Sequence, residues 1–224
     1  MISSVPLAAQ ILVIAKTPVP GRVKTRLTPP FTPDEAAALA EAALGDTLAV
    51  VAATPVARRV LALDGEPGPW LRPGFDVIPQ RGDGLDERIA FALADAWSAA
   101  PVPIVLIGMD TPQVTPGLLA EAAAPLAAGN ADAAFGFADD GGFWLLGLRE
   151  TDITLVLGVP MSRPDTGAQQ LARLDRAGLR VRQMPCLTDV DTADDAARIA
   201  GIRPDLLFSA RFRALRGAAL AASA

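Results

Sequence analysis

The chain of 224 residues has no histidine and no tyrosine, one cysteine and two lysines. Without histidine, Ser-His-Asp and Cys-His nucleophilic schemes and histidine metal sites are excluded. A metal would be held by carboxylate and carbonyl oxygens, which points to Mg²⁺, Mn²⁺ or Ca²⁺ chemistry. A lone Cys186 forms no intrachain disulfide and suits a reducing compartment. The apolar runs are short of the roughly 20 residues that cross a bilayer, so no membrane span is expected. "MISSVPLAAQILVIAK" lacks a positive leader segment, and a cytoplasmic location is expected.

What is present is half apolar, with a net charge of −5. That acidity argues against a nucleic-acid partner. Short apolar runs alternate with alanine-rich stretches. The runs at 10–15, 58–63, 75–79, 103–108, 132–138, 143–148 and 179–185 read as strands. Helices are expected over 31–51, 85–100, 115–129, 164–178, 192–202 and 204–221. Thr32, Pro33 and Glu35 form a capping-box start. This alternation predicts an α/β fold: a three-layer α/β/α sandwich around a mostly parallel sheet. One domain over 1–224 is the simplest reading, with a nucleotide-binding part at about 10–112, an acceptor-side part at about 113–202 and a last helix at about 204–221.

The charge is unevenly placed. "AKTPVPGRVKTRL" (15–27) carries Lys16, Arg22, Lys24 and Arg26, and no acidic residue precedes Asp34. Both lysines of the protein lie in this loop. It follows the first strand, where open α/β sheets bind ligands. Gly21 lets backbone approach a phosphate, arginine grips phosphate with paired hydrogen bonds and lysine acts as a point charge. The alternative is a solvated basic loop.

"PIVLIGMDTP" places Asp110 just past a central strand, as a metal ligand opposite that loop or as a turn cap. "CLTDVDTADDAARIA" offers Asp189 and Asp191 on one side of an extended segment. One could complete a metal site with Asp110 if the two strands neighbour each other, and the segment also reads as a helix cap through Thr192 and Asp195. "FADDGGFWLLGL" presents Asp139 and Asp140 as candidate acceptor-side bases in what is otherwise an ordinary hairpin turn. One of Phe143 and Trp144 must face the core. Arg88 opens a helix and is a weaker nucleotide contact, with a structural partner such as Asp83 or Glu87 as the alternative.

In order along the chain, "AKTPVPGRVKTRL", "GDGLDERIAFAL", "GMDTPQVTP", "FADDGGFWLLGL" and "DVDTADDAARIA" resemble the DUF2064 family. These are glycosyltransferase-like proteins with the GT-A, nucleotide-diphospho-sugar transferase fold. The last stretch is also similar to a motif of molybdenum-cofactor and other small nucleotidyltransferases. The basic loop is similar to that of the guanylyltransferases of deazaflavin biosynthesis. The resemblance implies a Rossmann-like nucleotide-binding sheet, Mg²⁺ or Mn²⁺ on Asp110, and phosphate contacts from Lys16, Arg22, Lys24 and Arg26. Phe143 stands where relatives have Tyr, and "PMSRPDTG" (160–167) where they have Trp-Ser-Thr, which bears on the acceptor side. The leading expectation is sugar transfer from a nucleotide-diphospho-sugar to a small acceptor. Nucleotidyl transfer, in which a phosphorylated small molecule attacks a nucleoside triphosphate, is the second. A non-catalytic nucleotide-binding protein is the third.

Overall fold

The computed structural model describes residues 5–222. Residues 1–4, which open the segment read as lacking a leader, and 223–224 lie outside the described residues. The strands are β1 (Leu7–Lys16), β2 (Val56–Asp64), β3 (Asp76–Pro79), β4 (Ile104–Ile107), β5 (Ala133–Phe137), β6 (Phe143–Leu148) and β7 (Val181–Gln183). The helices are α1 (Pro33–Ala53), α2 (Leu85–Ala99), α3 (Pro116–Ala127), α4 (Thr166–Arg176), α5 (Ala193–Ile202) and α6 (Leu207–Ala222).

One seven-stranded sheet runs in the order β3-β2-β1-β4-β6-β5-β7. All neighbours are parallel except β6, which is antiparallel to both β4 and β5. The apolar runs follow from burial on two faces. Within β1, Ile11 and Val13 enter the core beneath α1 and α3, while Leu12 points to the opposite core beneath α2. β2 divides the same way, with Leu61 and Leu63 on one face and Val60 and Ala62 on the other. β4 divides into Val105 and Ile107 against Ile104 and Leu106. Helices on both faces give the three-layer arrangement that the sequence predicts.

Helix starts are locally encoded. Thr32 Oγ1 accepts from the Glu35 amide, and the Glu35 carboxylate accepts from the Thr32 amide at 2.8 Å. Such a cap contributes about 1 kcal/mol. α1 then buries Leu39, Leu44 and Leu48 completely. Each such leucine contributes about 2 kcal/mol of transfer free energy. By length and apolar composition α1 could cross a membrane, which corrects the expectation that no run is apolar enough. Here it packs across the sheet, with most of its apolar stretch buried. α5 and α6, with the residues just before them, cover its outer side through Val190, Ile199, Leu206 and Phe208. Asp46 of α1 caps α6 by accepting from the Leu207 and Phe208 amides.

Because β6 alone runs backwards, the C-terminal ends of the parallel strands and the start of β6 share one edge. The sheet's order reverses between β1 and β4 at that edge, the position where open α/β sheets bind ligands.

Candidate active site

Two cavities open at this edge and share residues. A cleft of about 540 Å³ is floored by the ends of β1 and β4 and walled by α2, the β5–β6 turn and residues 161–166. A pocket of about 220 Å³ beside it is lined by the basic loop, with Met109, Asp110 and Asp191. Lys16, Arg26, Met109, Asp110 and Asp191 belong to both.

The basic loop is held by its apolar residues. Val23 is buried in the core beneath α1, and Leu27 packs against Phe31, Leu39 and Val190. Between these anchors Lys24 adopts the left-handed conformation, φ 49° and ψ 40°, and opens a 3-10 turn over Thr25–Leu27. The turn aims Lys24 inward, and its side chain is only 9% exposed. Lys24 Nζ lies 3.0 Å from Asp110 Oδ1 and 2.9 Å from Asp191 Oδ1. Arg26 Nη1 reaches the other oxygen of Asp191 at 3.1 Å. Burial alone would lower the Lys24 pKa, but the Asp110 and Asp191 carboxylates outweigh it and hold the ammonium above its usual range. Burial would raise Asp191, and the Lys24 charge and hydrogen bond pull it below its usual range instead.

The second carboxylate segment is placed by backbone. The Val190 amide donates to Asp110 O at 2.9 Å, and Gln113 Nε2 donates to Thr188 O at 2.6 Å. Thr192 and Asp195 form the expected capping box, so capping coexists with Asp191 facing the pocket. Asp189 differs. Burial, reinforced by the charge of Asp110, pushes it up to about 7, and its buried Oδ1 has no hydrogen-bond partner. Among the described residues no group of three His, Cys, Asp or Glu is spaced to hold a metal. Of the two acids that the sequence offers beside Asp110, Asp191 shares the Lys24 ammonium with it, while Asp189 lines the cleft without a contact to that cation. Two carboxylates suit a small hard cation that also takes phosphate and water oxygens. The Lys24 ammonium stands between them, so the pair already holds a cation in this structure.

Other predicted residues are separated from this centre. Gly21 has a positive φ of 74° but lines neither cavity. Arg88 is not on the cleft wall; it donates to Asp64 Oδ2 at 2.7 Å and to Gly82 O. Asp64 also lies 3.9 Å from Lys16 Nζ, so Arg88 supports the end of β2 beside the loop. Asp139 is turned away from the cleft onto Arg198, at 2.6 Å, and Thr188, at 2.8 Å. Asp140 lines the cleft, with Oδ1 accepting from the Gly142 amide at 2.8 Å. Of the aromatic pair, Trp144 is buried and donates to Pro185 O, while Phe143 is half-buried on the cleft wall.

Two cleft features and one residue beside the cleft were missed in the sequence. Gln80, just after β3, spends its Nε2 hydrogens on Ala15 O and Ala62 O, leaving Oε1 as the function its amide can offer a ligand. Arg163 and the left-handed Ser162 (φ 57°) come from the "PMSRPDTG" segment. Arg198 has no motif of its own; its helical position gave no hint that it reaches Asp139.

A reversed strand within a parallel sheet, a basic loop after β1 and a carboxylate at the end of β4 define the nucleotide-diphospho-sugar transferase class of α/β fold. The chain belongs to the family described as "Uncharacterized protein conserved in bacteria (DUF2064)", whose sequence profile matches residues 38–163. A crystal structure from Desulfovibrio desulfuricans G20, provisionally described as a nucleotide-diphospho-sugar transferase, is 28% identical, with a TM-score of 0.82 over 93% of this chain and 94% of that one. The phosphoenolpyruvate guanylyltransferase of Sanguibacter keddieii is 27% identical over 86% of this chain and 80% of its own length. The manganese complex of Rv0371C from Mycobacterium tuberculosis H37Rv shares the fold, with a TM-score of 0.52 at 24% identity over 85% of this chain and 97% of that one.

Proposed function

We propose that the protein is a divalent-metal-dependent nucleotidyltransferase: a phosphorylated small molecule attacks the α-phosphate of a nucleoside triphosphate and pyrophosphate leaves. This replaces sugar transfer, the leading expectation from sequence, with the second one. The relative from Sanguibacter keddieii, named as a guanylyltransferase, supports that order; the likeness to sugar-transferase structures speaks to the fold.

The observation that carries the reading is the convergence of Lys16, Arg22, Lys24 and Arg26 with Asp110 and Asp191 around one pocket opening on the cleft. A triphosphate carries about four negative charges, and pyrophosphate departs as an anion; four clustered cations suit both. When bound at Asp110 and Asp191, Mg²⁺ or Mn²⁺ would supply charge neutralisation across the phosphate oxygens. Arg22 and Arg26 bind those oxygens in pairs, and Lys16 contributes a point charge from the end of β1. The nucleoside extends along the apolar wall of Ile14, Leu85 and Ile89, where Gln80 Oε1 is an acceptor for a base N–H. The acceptor enters from the side of Asp140, Phe143 and Arg163, where the exposed Arg163 guanidinium, 3.5 Å from Asp165 through Nε, can turn its outer nitrogens to an anionic group.

The attacking group of such an acceptor needs little assistance. A phosphate monoester has a second pKa near 6, so its attacking oxygen is already ionised at neutral pH and needs no general base. A sugar hydroxyl would need one. In the transfer, a bond forms from the acceptor's phosphate oxygen to the α-phosphorus as the bond to the β-phosphate oxygen breaks, and the electron pair leaves with pyrophosphate.

The experiment incubates the protein and Mn²⁺ with each nucleoside triphosphate against a panel of phosphorylated acids and sugar phosphates, measuring pyrophosphate. A parallel panel of nucleotide sugars is followed for donor consumption. Pyrophosphate release that requires an acceptor supports the reading. Consumption of a nucleotide sugar without any pyrophosphate-forming reaction would restore sugar transfer.

A further inference from the structure

We propose that Lys24 is a resident cation of the carboxylate pair, displaced when a divalent metal binds there, and that its displacement turns the same ammonium into a phosphate ligand. The inference rests on the reading of Asp110 and Asp191 as the metal-binding pair.

Lys24 does not occupy the place of a solvated phosphate contact. Its side chain is nine-tenths buried and held between two carboxylates, 3.0 and 2.9 Å away. By contrast, Lys16 at the other end of the loop keeps 57% of its side chain exposed. The two carboxylates carry two negative charges, and a single ammonium offsets one of them. Arg26 reaches only the outer oxygen of Asp191 from an exposed position. A partly buried pair whose second charge is met only from outside, by the exposed Arg26, holds the loop down and remains attractive to a cation of higher charge.

A divalent ion and this ammonium cannot share the pair. The ammonium already holds Asp110 Oδ1 and Asp191 Oδ1, and a divalent ion brought within contact distance of it would be repelled. Metal binding therefore has to move Lys24. The left-handed backbone at Lys24 is a costly conformation for a residue with a side chain, so the turn is not the chain's preferred local state. Released, the ammonium stays on a loop that lines the pocket beside Arg22 and Arg26, where phosphate oxygens would bind. Two consequences follow. The metal-free protein keeps its carboxylates neutralised and its loop anchored. Metal and nucleotide bind more tightly together than separately, since the phosphates give the displaced ammonium a partner.

The protein's lysine content makes the test clean, because Lys16 and Lys24 are its only two lysines. The first experiment acetylates the folded protein briefly with acetic anhydride, with and without Mn²⁺ alone, and quantifies each lysine by peptide mass spectrometry. Lys24 is expected to be protected without metal and several times more reactive with Mn²⁺, while Lys16 serves as the internal reference. The second measures Mn²⁺ affinity without nucleotide, from the free-ion electron paramagnetic resonance signal. Lys24→Met is expected to bind Mn²⁺ about tenfold more tightly than the unaltered protein, because no ammonium has to leave. Unchanged Lys24 reactivity at saturating Mn²⁺ overturns the proposal, and so does Mn²⁺ binding by the Lys24→Met protein that is equal or weaker. The acetylation arm uses the unaltered chain, so the test stands even if that variant folds poorly. Neither readout involves turnover, so a failed exchange leaves the pyrophosphate assay to judge the transferase reading on its own.

Discussion

The Arg198 guanidinium lies 2.6 Å from the Asp139 carboxylate, tying α5 to the end of β5. This pairing separates two adjacent acids that look equivalent in sequence. Asp139 is occupied by Arg198 and Thr188, while Asp140 faces the cleft. Asp139→Ala is therefore expected to lower stability by up to about 1 kcal/mol, the range of a partly exposed ion pair, with turnover per folded molecule within about threefold of the starting value. Asp140→Ala is expected to raise KM for the acceptor about tenfold, because Asp140 lines its entry, with little change in melting temperature. Thermal denaturation and steady-state kinetics on both variants check the division.

Asp110 is the residue on which metal dependence should fall most heavily. Asp110→Asn retains shape but removes one charge from the pair that holds Lys24. Pyrophosphate formation is expected to drop by about 100-fold or more, with Mn²⁺ stimulation largely abolished. Rates across a Mn²⁺ titration for both proteins decide this.

Arg26 and Arg88 are expected to respond differently. Arg26 lines both cavities and its side chain is 71% exposed, whereas Arg88 is spent on Asp64 and Gly82. Arg26→Ala is expected to raise KM for the triphosphate about tenfold, with the effect shrinking as ionic strength rises. Arg88→Ala is expected to lower stability by about 1 kcal/mol while KM changes no more than about threefold. Kinetics at two salt concentrations and a urea melt distinguish them.

The turn after β5 is tightly packed. Gly141 has φ +91°, and a Cβ there would sit 1.9 Å from Pro164 O, against the segment that precedes α4. Gly141→Ala is expected to cost about 2–4 kcal/mol and to disturb acceptor KM, because backbone must move on one side or the other. Gly142→Ala meets only the Asp140 carboxylate at 3.0 Å and is expected to be milder. Chemical denaturation of both variants makes the comparison.

Acid stability offers a separate check on the far edge of the sheet. The Arg180 guanidinium, hydrogen bonded to Asp132, and the Arg180 amide hold that carboxyl down at about 2, with Arg149 adding charge. A depressed carboxyl contributes stability above its unfolded pKa of 3.8 and loses it as pH falls through about 2. The melting-temperature gap between the unaltered protein and Asp132→Asn is expected to be constant above about pH 5 and to close between about pH 4 and 2. A gap that persists at pH 2 would show that the ion pair is not its source.

Residues close together in the chain made much of the molecule legible. The capping boxes at Thr32–Glu35 and Thr192–Asp195 lie where the local pattern puts them, because a cap needs only three residues of context. Both-face burial is readable in runs such as "ILVIA" because it removes the alternation of a one-sided strand. The Rossmann-like layering and the edge that carries the loop and Asp110 follow from that order of strands and helices. Tertiary structure alone decided the rest. Nothing local announces that β6 inserts backwards between β4 and β5, that Arg88 is taken by Asp64, or that Arg198 removes Asp139 from the cleft. Nor does the sequence show Lys24 seated between Asp110 and Asp191 rather than on a phosphate. Local patterns follow from helix and strand periodicity, whereas charged groups far apart in the chain find partners through strand order and loop anchoring, and burial then selects which pairs form.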